Sequence, residues 1–420
     1  MKMLRTSLLS GISNVLRILL GLVLNKVYAV YVGPAGIALL GQFQNLTGIA
    51  SGLCTGGITS GVVKYTAEVR HDPEQRSRLF STALVFGFTL TVPTSLLLIV
   101  LRHQLSAALL HSDQFAGLIA IFGLTVAFMF IASLLGAVLN GYMEVERLLM
   151  ANLAGSLLSL PLAYWLVTRY QVYGALLVAT LAPLVSLSVT GLAVVGLPWF
   201  RARDFFQRPD RQYAVRLGKY SVMTMVTIAT FPVSQILIRN YLISHFSATG
   251  AGYWQGVTRI SDNYLALVTT TLAVYYLPRL SEIQDARVLR EEILHGYKLI
   301  LPMVAGIALA IYLLRDFIIR VLFTAAFLPM KPLFAFQLIG DVLKIASWLL
   351  AYIMVAKAMT RYFIVTEIIF TASLLLLTLG FVRFYGLVGV TYAFAFNYLA
   401  YLALMVWKFR GLLLGRGLPW

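Results

Sequence analysis

The sequence predicts an all-α integral membrane protein with twelve transmembrane helices arranged as two six-helix halves. Three observations carry that expectation. Hydrophobic residues make up 60% of the 420 and charged residues 12%, against about 45–50% and about 25% in a soluble domain. Mean hydropathy is +0.85, more apolar surface than a soluble chain of this size can hide. The apolar stretches run for about 20 residues or more at a time, the length a bilayer-spanning helix needs, and not as the short alternating segments of a barrel.

Hydropathy and helix breakers place the spans at about 7–31, 36–63, 78–101, 115–140, 147–168, 174–198, 217–240, 250–277, 294–314, 333–357, 361–382 and 387–408. The first span runs on past Arg17 and Lys26 to the Gly33-Pro34 break, too long for the apolar core of a signal peptide, and is expected to be retained. Gly52, Gly56, Gly57 and Gly61 in the second span suit close helix packing. Pro93, Pro161, Pro183, Pro232 and Pro302 fall inside spans, where each removes a helical hydrogen bond. The basic loop after span six divides the chain into a half at 1–199, a linker at 200–216 and a half at 217–420.

Orientation follows from basic residues, which concentrate in cytoplasmic loops. With the N-terminus inside, cytoplasmic segments hold 22 Lys and Arg. The opposite side holds 7: Arg102, Arg169, Arg239, Arg315, Arg320, Lys331 and Arg383. Both termini are therefore expected in the cytoplasm. The net charge of +17 belongs to this asymmetry, and no nucleic-acid partner is expected. An internal repeat is also visible. Gly41 pairs with Gly256 and Lys64 with Arg279, each 215 residues apart, and Arg169…Tyr173-Gly174 resembles Arg383…Tyr385-Gly386. Six-plus-six parallel repeats are a transporter architecture, with the substrate site between the repeats.

Charges at membrane depth cost about 2.5–3.5 kcal/mol each on insertion scales, so each needs a purpose. Arg17, Lys26, Arg259, Asp262, Asp341, Lys344 and Glu367 are the candidates. In span eight, Gln255, Arg259, Asp262, Asn263, Thr269 and Thr270 recur at helical spacing and form one polar stripe, which cannot face lipid. In span ten, Gln337, Asp341, Lys344 and Trp348 share a face, with Asp341 and Lys344 three apart and able to pair. Asn14 and Arg17 share a face of span one, and Gln42, Gln44, Asn45 and Thr47 make span two polar. Glu367 has no cation within a turn of its own helix, which makes it the acid freest to carry a proton. Tyr253, Trp254, Tyr264 and Tyr398 are candidates to stack on sugar rings. The five His lack metal-ligand spacing, no Gly-rich phosphate loop is present, and Cys54 stands alone. Neither a metal nor an organic cofactor is expected.

Several blocks resemble the Wzx-type polysaccharide flippases of the multidrug/oligosaccharidyl-lipid/polysaccharide exporter superfamily. They are Gly252-Tyr253-Trp254-Gln255-Gly256-Val257, Ile260-Ser261-Asp262-Asn263-Tyr264-Leu265 and Tyr276-Leu277-Pro278-Arg279-Leu280-Ser281 in and after span eight. Leu314-Arg315-Asp316-Phe317, Phe336 to Lys344, and Val355-Ala356-Lys357-Ala358 add to them, as do Val32 to Gly36 and Thr55 to Tyr65. The resemblance spans nearly the whole chain. It implies a MATE-like fold, two six-helix bundles forming a V around a central cavity. It implies movement of an undecaprenyl-diphosphate-linked oligosaccharide across the bacterial inner membrane, nearest the branch that handles the enterobacterial common antigen trisaccharide. A polysaccharide polymerase and a chain-length regulator are partners of such a flippase. Under this resemblance Asn14, Arg17, Gln255, Arg259, Asn263, Gln337 and Lys344 would hold diphosphate and glycan. Asp262, Asp341 and Glu367 would serve as proton carriers or salt-bridge switches. An O-antigen repeat-unit flippase or other exporter of the same fold is the alternative, and a membrane enzyme acting on the same lipid a distant one.

Overall fold

The computed structural model describes residues 2–415, and among these the side chains of all but 2–10, Ile12, Asn14, 219–229 and Val274. The described chain is almost entirely helical. Its α-helices are α1 (Lys2–Tyr31), α2 (Gly33–Thr55), α3 (Thr59–Val69), α4 (Pro73–Val100), α5 (Arg102–Leu110), α6 (Ala116–Gly141), α7 (Val145–Val194) and α8 (Arg211–Thr271). They continue as α9 (Leu277–Glu282), α10 (Ala286–Leu313), α11 (Arg315–Leu322), α12 (Phe334–Ala356), α13 (Thr360–Tyr385), α14 (Gly389–Lys408) and α15 (Arg410–Leu413).

Six stretches among the described residues are long and apolar enough to cross a membrane, or seven if bent α2–α3 counts as one span. Some of these are two crossings long. At 1.5 Å per residue the 50 residues of α7 would extend about 75 Å, more than twice a hydrocarbon core of about 30 Å. The helix breaks at Gln171, where φ is 47°, between the two spans expected at 147–168 and 174–198. Likewise α8 breaks at Ser247, φ 76°. The second span is not continuous as expected: Gly56 and Gly57 adopt positive φ and α2 meets α3 at 40°. Pro93, Pro161, Pro183, Pro232 and Pro302 all lie within helices.

The chain packs as two compact units, one of the residues up to Val32 with Leu39–Ile236, the other of Gly33–Ala38 with the described residues from Leu237 on. Residues 33–38 join the second unit for a steric reason. Gly252 of α8 sits so close to the Gly33-Pro34 turn that a Cβ there would lie 1.9 Å from the Pro34 carbonyl oxygen. In the first unit α6 packs against α3, α4 and α7, while α1 packs on α7. In the second, α12 packs against α10, α13 and α14. These two helices are the most enclosed: 56% of the apolar window of Asp113–Gly141 is buried and 61% of that of Ala325–Ala356. Lipid already solvates the outer faces, so such contacts are held by dispersion and close fit rather than by escape from water.

The repeat is sharper in the backbone than in the sequence. Met143 and Ala358 both have positive φ, as do Gln171 and Gly386, and each pair is 215 residues apart. Gly174 and Gly389, also 215 apart, stand where a Cβ would strike the carbonyl of the residue eight before, Leu166 at 2.1 Å and Phe381 at 2.3 Å. The Tyr-Gly resemblance is therefore out of register by three residues. Gly174 corresponds to Gly389, because the tight turn and not the preceding tyrosine needs glycine.

The stretch expected as a linker at 200–216 is folded onto the first unit. Ala202–Phe205 forms a 3₁₀ turn. Arg76 Nη2 on α4 meets Asp204 Oδ2 at 2.5 Å, with side chains 8% and 12% exposed. Ser81 Oγ donates to the Asp204 carbonyl at 2.9 Å and accepts from the Gln207 amide at 2.8 Å. Phe80 stacks on Phe205, and Tyr142 stacks on Trp199 at 4.0 Å between centroids. One buried acid and one ring turned inward thus anchor a segment whose Arg201, Arg203, Arg208 and Arg211 remain exposed. Outside the spans of the second unit, Lys331 Nζ reaches Asp316 Oδ2 at 2.6 Å, which holds that exposed carboxyl below its ordinary value.

Candidate functional site

The second unit gathers most of the membrane-depth charge. After the break at Ser247, α8 carries Gln255, Arg259, Asp262 and Asn263 on the face expected from their spacing. Gln255 is buried, Arg259 and Asn263 are half-buried, and Asp262 is exposed. Facing this stripe is a residue that the basic-residue count assigned to the opposite side, at the very end of the span expected at 217–240. Arg239 lies inside α8 before the break and is only 2% exposed. Its guanidinium donates to Gln255 Oε1 and lies 5.3 Å from the Trp254 ring centroid. The helix doubles back at Ser247, which brings residues 16 apart into contact. Linear hydropathy could not signal that contact, although an arginine eight residues from the break was a visible cue.

Asp341 on α12 is fully buried. It accepts from the Tyr264 hydroxyl at 2.9 Å and from Gln337 Nε2 at 3.3 Å. Hydrogen bonds to a charged group are worth about 1.5–3 kcal/mol each, so α8 and α12 are tied at this point. The hydrogen bonds of Asp341 go to these two groups, while Lys344, three residues on, acts on it electrostatically. Lys344 Nζ lies over the Trp348 and Tyr398 rings, 5.0 Å and 5.8 Å from their centroids. Trp348 is one turn on, and helical side chains lean back toward the N-terminus, which carries its ring to Lys344. Tyr398 arrives from α14 because Gly340 lets that helix close in. A Cβ at 340 would lie 2.3 Å from Phe394 Cδ1, and Lys344 and Tyr398 are each one turn further along.

Electrostatics link the pieces. Asp262 interacts with Lys344, Arg259 and Arg239, and Lys344 with Tyr398, Asp262, Asp341 and Glu367. Glu367 lines a cavity of about 360 Å³ with Ala273, Trp348, Tyr352, Phe363 and Tyr401. Its expected isolation holds only along its own helix, for Lys344 on α12 acts on it. The rings singled out for sugars are already engaged. Trp254 lies under Arg239, Tyr253 edges onto Phe327, Tyr264 serves Asp341 and Tyr398 faces Lys344.

The remaining candidates belong to the first unit. Arg17 is exposed on α1 and Lys26 half-buried; the Asn14 side chain lies outside the described residues. Gln42 is fully buried and donates to the Ile236 carbonyl at 3.4 Å, so it ties α2 to α8 rather than lining a path. A small groove of about 190 Å³ runs between the two arms of α7, lined by Asn152, Ser156, Ser159, Ser186 and Thr190. At the 215-residue offset, Asn152 corresponds to Glu367 and Ser186 to Tyr401. The repeat carries charge in its second copy where the first has neutral polar groups. Among the described residues no group of three or more His, Cys, Asp or Glu could hold a metal ion.

A cationic cluster tied to acids and rings at membrane depth, on paired helical units, is the equipment of a transporter for a polar or anionic solute. The fold agrees with that class. An inward-facing multidrug-resistance MATE transporter of the MOP superfamily superposes with a TM-score of 0.77 over 94% of this chain and 95% of its own, at 14% identity. The lipid II flippase MurJ, inward closed, superposes at 0.72 over 98% and 90%, at 15% identity. The family profile described as "Polysaccharide biosynthesis protein" matches residues 37–332. The lipid III flippase of Escherichia coli (strain K12) is 32% identical across 98% of this chain and 100% of its own length. The chain belongs to this polysaccharide biosynthesis family, among the Wzx-type flippases. It is a multi-pass membrane transporter with a MATE-like fold, and not an enzyme.

Proposed function

We propose that this chain is a flippase that carries an undecaprenyl-diphosphate-linked oligosaccharide from the cytoplasmic to the periplasmic leaflet of a bacterial inner membrane by alternating access. The full-length likeness to a lipid III flippase supports the enterobacterial common antigen trisaccharide as the glycan. The observation that carries the reading is the set of cations held within the helices of the second unit: Arg239, buried and donating to Gln255, Arg259, half-buried one turn beyond Gln255, and Lys344 over the Trp348 and Tyr398 rings. A diphosphate leaving water needs charge-assisted partners at depth, and two guanidiniums with an ammonium are such partners. Arg17 on the first unit is a further cation for the same headgroup. The polar side chains beside the cluster, Gln255, Asn263 and Gln337, suit sugar hydroxyls, and the polyprenyl tail stays in lipid.

Both termini face the cytoplasm in this reading. The basic-residue count of 22 against 7 supports it. Proton movement through Asp262, Asp341 and Glu367 is the proposed energy source. The flipped product passes to a polymerase and a chain-length regulator.

The test is Arg259→Ala, assayed in vesicles for movement of a labelled diphosphate lipid. The expected result is loss of flipping with membrane insertion and thermal unfolding unchanged. Wild-type flipping by that variant contradicts the assignment.

A further inference from the structure

The groove between the two arms of α7 is lined by neutral polar groups at a depth where lipid offers such groups no partner. Asn152, Ser156 and Ser159 recur at helical spacing on one arm, as do Ser186 and Thr190 on the other. At 1.5 Å per residue, Asn152 and Ser159 stand about 10 Å and about 21 Å along the arm that starts at Val145, well inside its apolar length. The fold does not impose this lining. At the 215-residue offset the second unit has Glu367 for Asn152, Tyr401 for Ser186 and Met405 for Thr190.

Ser156 Oγ donates to the Asn152 carbonyl at 2.9 Å and Ser159 Oγ to the Gly155 carbonyl at 2.8 Å. Each of these hydroxyls has its proton committed and its oxygen left to accept. The side chains of Asn152, Ser186 and Thr190 have no hydrogen-bond partner among the described residues. Thr190 is only 5% exposed, and a hydroxyl so enclosed is ordinarily bonded. Gly155 also lines the groove, and a Cβ there would meet nothing within 4 Å. The volume of about 190 Å³ takes about six water molecules, the bulk of one sugar ring. No ionisable side chain lines it, so its chemistry suits a ligand that gives and takes hydrogen bonds without charge.

We propose that this groove is a sugar-binding subsite of the first unit: Asn152, Ser186 and Thr190 bond the hydroxyls of one ring of the transported glycan, and Ser156 and Ser159 accept from them. The inference rests on the flippase reading above and adds a site that reads the glycan and not the diphosphate. Under the orientation proposed there, both ends of α7 face the cytoplasm, so the groove lies toward the leaflet from which the glycan is loaded.

The experiment measures binding of two lipids to the full chain purified in detergent. One is undecaprenyl diphosphate carrying the enterobacterial common antigen trisaccharide, and the other is unglycosylated undecaprenyl diphosphate. Thr190→Val and Ser186→Ala remove a hydroxyl with little change of shape. Gly155→Leu fills the open space. Loss of one neutral hydrogen bond corresponds to about two- to tenfold in affinity. Thr190→Val and Ser186→Ala should each bind the glycosylated lipid weaker by that factor, and Gly155→Leu weaker by about tenfold or more. All three should bind the unglycosylated lipid as wild type does, and Thr190→Ser should restore the glycan affinity. Wild-type binding of the glycosylated lipid by normally folded Gly155→Leu and by the Thr190→Val, Ser186→Ala double variant overturns the proposal, because the groove then holds solvent only. Equal loss of both lipids overturns it too, because the groove then does not read the sugar. Failure of the diphosphate reading shows separately, as wild-type affinity of Arg259→Ala for both lipids. If wild type binds neither lipid, the flippase reading fails and this inference with it.

Discussion

The clasp between α4 and the 3₁₀ turn offers a perturbation whose size can be worked out from the geometry. Arg76 and Asp204 meet at 2.5 Å with side chains 8% and 12% exposed. At an effective dielectric of about 20, two unit charges at that distance attract by roughly 6–7 kcal/mol, less the cost of taking both ions out of water. Removing one partner strands the other. Arg76→Met should therefore cost about 3–5 kcal/mol, and Asp204→Leu a similar amount. The double variant strands no charge, and Ser81 can still bond the backbone at 204 and 207. Its cost should fall well below the sum of the two singles, a coupling of several kcal/mol. Unfolding of the three purified variants in detergent, compared with wild type, closes the cycle. If the double loses as much as the singles combined, the pair is not coupled. If either single loses under about 1 kcal/mol, the contact behaves as an exposed surface pair. Either outcome refutes the view that this ion pair holds the segment after α7 onto the first unit.

Two further outcomes follow from the packing and the charges. Gly252→Ala places a Cβ 1.9 Å from the Pro34 carbonyl oxygen and should cost about 1–3 kcal/mol, read as a lowered unfolding temperature; an unchanged one would mean that the turn at Gly33 moves freely. Glu367→Gln should lose the response of flipping to an imposed pH gradient while remaining folded, because Glu367 lines an open cavity. Asp341→Asn should chiefly lower stability, because Asp341 is sealed behind Tyr264 and Gln337. A wild-type gradient response in Glu367→Gln makes that acid structural.

Composition and the length of the apolar stretches determined the membrane class and the helical fold, because a bilayer imposes one length scale and one solvent on each segment. The polar stripe of α8 was equally legible. Helical periodicity alone puts Gln255, Arg259 and Asp262 on one face, whatever that face meets. Partners between segments were not legible. Arg239 counted only as an outer-side charge at the end of its span, because hydropathy is blind to a chain that doubles back at Ser247. Asp341 and Lys344, three apart, could pair on spacing alone; that Tyr264 bonds the acid and that the Trp348 and Tyr398 rings lie under the ammonium was not legible. The basic loop at 200–216 read only as a divider between halves, and what it packs against was decided by one aspartate turned inward to an arginine on α4. Most of these were decided by which side chains from different helices, or from two arms of one broken helix, come within contact distance. That distance depends on how closely the backbones approach, which at Gly252, Gly340 and Gly389 is set by the missing Cβ. Sequence periodicity determines the face a residue occupies; only the packed structure determines what stands opposite.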